Sequence, residues 1–82
     1  MASPVAAVVE VAARALVDAP EQVAVAEAER RGTTVVELTV AQADTGKVIG
    51  RQGRIAEALR MLVAATAHHH GIRATLDIRD PE

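Results

Sequence analysis

The stretch that decides the reading is Gly46-Lys47-Val48-Ile49-Gly50-Arg51-Gln52-Gly53-Arg54-Ile55. Its two later glycines, three residues apart, interrupt sequence that otherwise suits a helix. A helix capped by Asp44 or Thr45 therefore has to stop within two turns. Gly50 suits the left-handed conformation that ends a helix, and Gly53 opens the next one. Neither carries a Cβ to hold off an approaching backbone. The loop between them presents amides beside a helix N-terminus, where partial positive charge favours phosphate. Lys47, Arg51 and Arg54 add full charges around that point, and Ile49 and Ile55 flank the loop as anchors for both helices.

The same residues exclude two other glycine-rich phosphate sites. A P-loop needs glycine at position 41 and Ser or Thr at 48, where this chain has Ala41 and Val48. The dinucleotide fingerprint Gly-x-Gly-x-x-Gly also fails at Val48.

Outward from the loop, the elements follow from periodicity. Downstream, a longer helix is expected from Arg54 to about His70, with Ile55, Ala58, Leu59, Leu62 and Thr66 inward and Arg54, Glu57 and Arg60 outward. Gly71 stops it. A strand from Ile72 to Ile78 follows, with Ile72, Ala74, Leu76 and Ile78 on one face, and then a polar tail, Asp80-Pro81-Glu82. Upstream, Thr33 to Val40 alternates, with Thr34, Val36, Leu38 and Val40 facing one way. Arg31-Gly32 is a turn, so a short first strand at Val23 to Ala26 forms an antiparallel hairpin with it; Glu27-Ala28-Glu29 is expected as a ragged or bulged end. The first element is a helix, capped by Ser3 with Pro4 in first position. Val5, Val8, Val9, Ala12 and Leu16 form its apolar face, and Asp18-Ala19-Pro20 ends it. The order is helix, strand, strand, helix, helix, strand.

Composition narrows the function. The 82 residues suffice for one small domain and carry a net charge of −2. Half of them are hydrophobic, yet Phe, Tyr, Trp and Cys are absent, and 18 Ala with 12 Val supply most of the apolar content. Such a chain buries only about 60% of its unfolded surface, so association with a partner or a second copy is plausible on stability grounds. Without cysteine there is no disulfide, thiolate nucleophile or cysteine-ligated metal. Without aromatics there is no base-stacking platform. The N-terminal residues lack a basic leader, and Glu10 and Arg14 interrupt the first apolar run, so a secretory signal or membrane span is not expected and a cytoplasmic protein is. Charge is uneven: residues 1–45 hold three basic and seven acidic side chains, residues 46–82 six and four. Lys47, Arg51, Arg54 and Arg60 face only Glu57 within 46–60, which suits a short anion footprint.

With these elements in place, Val48-Ile49-Gly50-Arg51-Gln52-Gly53-Arg54-Ile55, lying between two helices and followed by Ala58-Leu59, resembles the KH domain signature. There a Gly-x-x-Gly loop clamps single-stranded nucleic acid. The helix and strand ahead of the core match the type II arrangement. The resemblance thus implies an α+β fold, α-β-β-α-α-β, with a three-stranded mixed sheet and three helices packed on one face. Residues 1–82 would form a single KH domain with its loop at 50–53. The longer string from Asp44 through Gly46-Lys47 to Ile55 is similar to the small bacterial KhpA family. That resemblance implies single-stranded RNA binding, RNA chaperoning, a homodimer or a heterodimer with a larger KhpB-type KH protein, and a role in cell shape and division. It places the RNA-binding residues at Lys47, Val48, Ile49, Gly50, Arg51, Gln52, Gly53, Arg54 and Ile55. About four nucleotides would lie in a groove between the loop, its helices and a sheet edge, with Val48 and Ile55 as aliphatic walls. The alternative is mainly a protein-interaction module in which RNA contact is secondary.

Two further features are weighed. His68, His69 and His70 look like a metal tract, but successive helical residues point about 100° apart and do not converge. Near a helix C-terminus they suit the dipole instead. Ser3 is the sole serine, and no carboxylates pair in an evident cleft, so neither catalysis nor a cofactor is expected.

Overall fold

A computed structural model describes residues 3–81; Met1, Ala2 and the tail residue Glu82 lie outside the described residues. The six elements come in the expected order: α1 (Pro4–Leu16), β1 (Ala24–Arg30), β2 (Thr33–Thr39), α2 (Thr45–Ile49), α3 (Arg54–His69) and β3 (Ala74–Arg79). The sheet order is β1-β2-β3. β1 pairs antiparallel with β2 through the Arg31-Gly32 turn, and β3 pairs parallel with β2, Thr34 opposite Ala74. The sheet is therefore mixed. α1 packs over β1 and β2, α3 over β3, and α2 against the other two helices.

Local signals set the helix ends. Ser3 Oγ accepts from the Ala6 amide at 3.1 Å, and Pro4 occupies the first position. α3 ends in a Schellman turn: Gly71 (φ +67) donates to His68 O and Ile72 donates to Ala67 O. Ile72 is thereby committed to the helix cap, which is why β3 begins at Ala74 rather than at the expected Ile72. β1 is longer than expected. Glu27 and Glu29 are ordinary strand residues, because Glu27 Oε1 accepts from the Ser3 amide at 2.9 Å and Glu29 Oε2 from Thr34 Oγ1 at 3.3 Å. The Ser3 hydroxyl and amide hold the Glu27 carboxyl below its ordinary value.

The core lies between sheet and helices. Val36, Leu38 and Val40 are buried as the alternation predicts, with Leu76 from β3. Both long helices are rotated from expectation. α1 buries Val5, Ala6, Val9 and Ala13, and α3 buries Ala56, Leu59, Val63 and Ala67. Val8, Ala12 and Thr66 are only half-buried, while Ala58 is exposed. Leu62 is 42% exposed, Met61 66% and Val11 71%, and Leu16 is exposed as well. The alanines let helix and sheet backbones approach closely, and close packing outweighs burying the longest side chains.

A buried carboxylate ties α2 to the rest. Asp44, 2% exposed, accepts from the Asp18 amide (3.2 Å) and the Ala19 amide (3.0 Å), which follow α1. Lys47 Nζ lies 3.6 Å from Asp44 Oδ1 and 3.0 Å from Asp18 Oδ2. Burial works to raise the Asp44 pKa, but the Ala19 and Asp18 amides and the Lys47 ammonium outweigh it, so the carboxyl titrates below its ordinary 3.8. Lys47 is raised above its ordinary 10.5, chiefly by Asp18. A depressed carboxyl stabilises the fold fully above its unfolded value and loses that effect as pH falls through the folded one. Asp44→Asn should lower the thermal midpoint at pH 7 by roughly 5–10 °C for a domain of this size. The gap between wild type and variant should shrink as pH drops below 3.8 and as it rises past 10.5. Far-UV circular dichroism melts across pH check this, since the chain has no Trp or Tyr to report by fluorescence.

Candidate nucleic-acid interface

The loop is built from backbone torsions few residues tolerate. Gly50 has φ +78, ψ 171, a region essentially restricted to glycine. Gln52 (φ +58, ψ 24) and Gly53 (φ +73, ψ 15) follow in the left-handed region. The Gly50 amide donates to Gly46 O at 2.9 Å, closing α2, and the Gly53 amide donates to Gly50 O at 3.1 Å. The chain thus reverses over residues 50–53 into α3, whose first amide, that of Arg54, donates to Arg51 O.

The two glycines serve different needs. A Cβ on Gly50 would lie 2.8 Å from Ile55 Cβ and 2.9 Å from the Ile55 amide nitrogen. Ile55, half-buried, packs against the core and fills that space. At Gly53 nothing stands within 4 Å of a Cβ, so only its torsion demands glycine, and the space in front of it is open. The close approach expected at both glycines is therefore an internal contact at one and open surface at the other.

The cations divide in the same way. Arg51 and Arg54 are exposed, and neither pairs with a carboxylate among the described residues; Arg54 Nη2 donates to Gln52 Oε1 at 3.4 Å. Lys47 differs from expectation, because Asp18 and Asp44 already compensate its charge. It holds α2 in place, and the free positive charge at the loop comes from two arginines. Val48 also departs from its expected role as a groove wall. It is fully buried and joins Leu38 and Val63 in the core. Ile49, half-buried, and Ile55 remain beside the loop as apolar surface.

Asp44 and Asp18 position the loop without belonging to it. Asp44 and Lys47 stand three residues apart in the sequence, which is a legible helical pair; Asp18 comes from a segment 26 residues away, and nothing local marks it. The three histidines occupy the last turn of α3 and its cap, exposed, with His69 and His70 rings edge to face at 5.0 Å. Among the described residues, no helix is long and apolar enough to cross a membrane.

A Gly-x-x-Gly loop thus joins two helices within the crossover between the parallel strands β2 and β3. The family described as KhpA/KhpB, KH domain, matches residues 6–78. The chain belongs to this family. RNA-binding protein KhpA of Treponema pallidum is 50% identical over 68 residues, covering 83% of this chain and 85% of that protein. RNA-binding protein KhpA of Aquifex aeolicus is 48% identical over 71 residues, covering 87% and 90%. The counterpart from Clostridium acetobutylicum is 44% identical, covering 84% and 92%. Among solved structures, Aquifex aeolicus Era bound to GDP and AlF4− superposes with a TM-score of 0.64 at 18% identity, over 93% of this chain and 29% of that one. That likeness concerns the fold alone.

The Gly50–Ile55 contact is the tightest constraint at this KH loop. Gly50→Ala should lower stability by about 1–3 kcal/mol, through left-handed strain and overpacking together. The same change at Gly53, with no overlap, should cost less. Chemical denaturation of both variants measures the difference.

Proposed function

We propose that this KH domain binds single-stranded RNA across the loop at residues 50–53. The backbone at Arg51 and Gln52 meets phosphates, Arg51 and Arg54 add charge, and Ile49 and Ile55 supply apolar surface to bases. The observation that carries the reading is Gln52. A non-glycine residue is held at φ +58 between two positive-φ glycines, and among the described residues no carboxylate meets its exposed neighbours Arg51 and Arg54. A turn serving only to join two helices has no need of that arrangement. The relatives bear the name RNA-binding protein, which favours this reading over a module that only binds proteins. A clamp of amides, two cations and aliphatic walls needs no stacking side chain, so the absence of aromatics fits it. The function is binding, with no catalytic residue, metal or cofactor, in the cytoplasm and in the RNA-chaperone-like role that the family resemblance implies.

The double change Arg51→Asp with Gln52→Asp puts negative charge against the phosphates and should abolish RNA binding while circular dichroism stays native. Unchanged affinity in a gel-shift assay overturns the assignment. Copurified nucleic acid offers a direct check, because a chain without Trp or Tyr contributes almost nothing at 280 nm.

Self-association is the second part of the reading, supported by the face that the rotation of α1 and α3 leaves outside. Ala7, Val8, Val11, Ala12 and Leu62 line an open apolar cleft of about 340 Å³, with Met61 exposed nearby. Small residues there let a second helix pair approach closely, and the surface suits another copy of this chain or a KhpB-type KH partner. Val11→Glu with Leu62→Glu should convert a dimer to a monomer by light scattering and leave the fold intact, since both side chains are exposed. A wild type that is monomeric at every concentration removes the homodimer.

A further inference from the structure

The cations of this chain divide by whether a carboxylate meets them, and the unmet ones gather at two places. Arg14 pairs with Glu10, Lys47 with Asp18 and Asp44, and Arg79 with Glu37 and Asp77. Among the described residues, the six other arginines meet no carboxylate. Arg51, Arg54 and Arg60 belong to the loop and the first half of α3. Arg30, Arg31 and Arg73 lie at the opposite pole, where the β1–β2 turn meets the connection from α3 to β3. The length of α3 separates the poles by about 24 Å.

The second pole holds an open cavity of about 500 Å³, lined by Arg31, Gly32, Thr34, Gly71 and Arg73 with Glu29. Arg31 is its most informative residue. It sits at φ +52 in the first position of a two-residue hairpin turn, ahead of Gly32 at φ +80. Asn, Asp or Gly is favoured there because both positions need positive φ. An arginine is strained at that position, and among the described residues its exposed side chain makes no hydrogen bond or ion pair that would repay the strain. Arg73 reaches the same cavity from the other segment, held in register by the Thr34 amide donating to Arg73 O at 2.9 Å. The exposed imidazoles of His68, His69 and His70 occupy the turn that runs into Gly71. Glu29 is the one carboxylate in the lining, and it accepts from Thr34 Oγ1. Arg31 and Arg73 outnumber it two to one in that lining.

We infer that this pole is a second contact site for the phosphate backbone of single-stranded RNA, engaged by strands too long for the Gly loop alone. The inference rests on the RNA reading of the loop. It makes the domain a two-point binder: the loop takes about four nucleotides, and Arg31 and Arg73 take phosphates farther along the same strand.

The test uses the full chain, randomised RNA pools of 5 and 20 nucleotides, and fluorescence anisotropy across salt concentrations. Arg31→Asn with Arg73→Gln removes both charges and places a favoured residue in the turn, so the variant should melt no lower than wild type. Its affinity for the 20-mer should fall roughly 5–10-fold at low salt, and the log–log salt slope should become shallower by about 1.4, two phosphate contacts on a single strand. The 5-mer should bind as before. An unchanged affinity and slope for the 20-mer overturns the second site, as does an equal loss at both lengths. If wild type binds neither pool, the loop reading fails along with it. If Arg51→Asp with Gln52→Asp abolishes 20-mer binding while the pole variant is unaffected, the loop stands and the pole falls alone.

Discussion

Side-chain size is the constraint on which this fold depends. Among the described residues the largest fully buried side chains are Leu38 and six valines, so little side-chain volume fills the space between helices and sheet. Dispersion contacts weaken quickly with distance, and a thin core holds only if the backbones come close. Ala6, Ala13, Ala56 and Ala67 are the buried alanines on the inner faces of α1 and α3. Val11, Met61 and Leu62 lie on the faces that α1 and α3 turn away from the core. One requirement thus sets both the packing of the sheet layer and the apolar face that remains outside it.

The same thinness explains the charged latch at α2. That helix has five residues and contributes one side chain, Val48, to the buried core. A single valine gives about 1.5–3 kcal/mol of burial, too little to fix the orientation of a helix that must end in a strained loop. Asp44 supplies what packing does not, accepting two amides from the end of α1 and holding Lys47. The loop is therefore positioned by apolar contact on one side, through Ile55 against Gly50, and by a carboxylate on the other.

Most of the fold was legible because its signals are local. The Arg31-Gly32 turn and the alternation from Thr34 to Val40 define the hairpin, and Ser3-Pro4 and Gly71 mark helix ends within a few residues. The helix faces were not legible, because hydropathy favours the longer side chains while packing selects the shorter ones. Val48 and Val8 look alike in sequence, and only the tertiary approach of α2 buries the first fully. The second half of β1 was obscured by Glu27 and Glu29, whose strand positions are stabilised by Ser3 and Thr34. At the loop, Gly50, Gly53, Arg51 and Arg54 could be named from sequence. The neutralisation of Lys47 could not, since Asp18 comes from a distant segment.

The parallel pairing of β2 with β3 has a consequence for the loop itself. The strands are neighbours in space, but residues 40–73 must run between them, and the Gly loop lies within that crossing. Closing the sheet therefore encloses the loop, and opening it would have to disturb α2, Ile55 or the strand pairing. Its two ends are fixed by α2 and by Ile55, so rearranging the backbone at 50–53 costs packing that a loop hung between free ends would not lose.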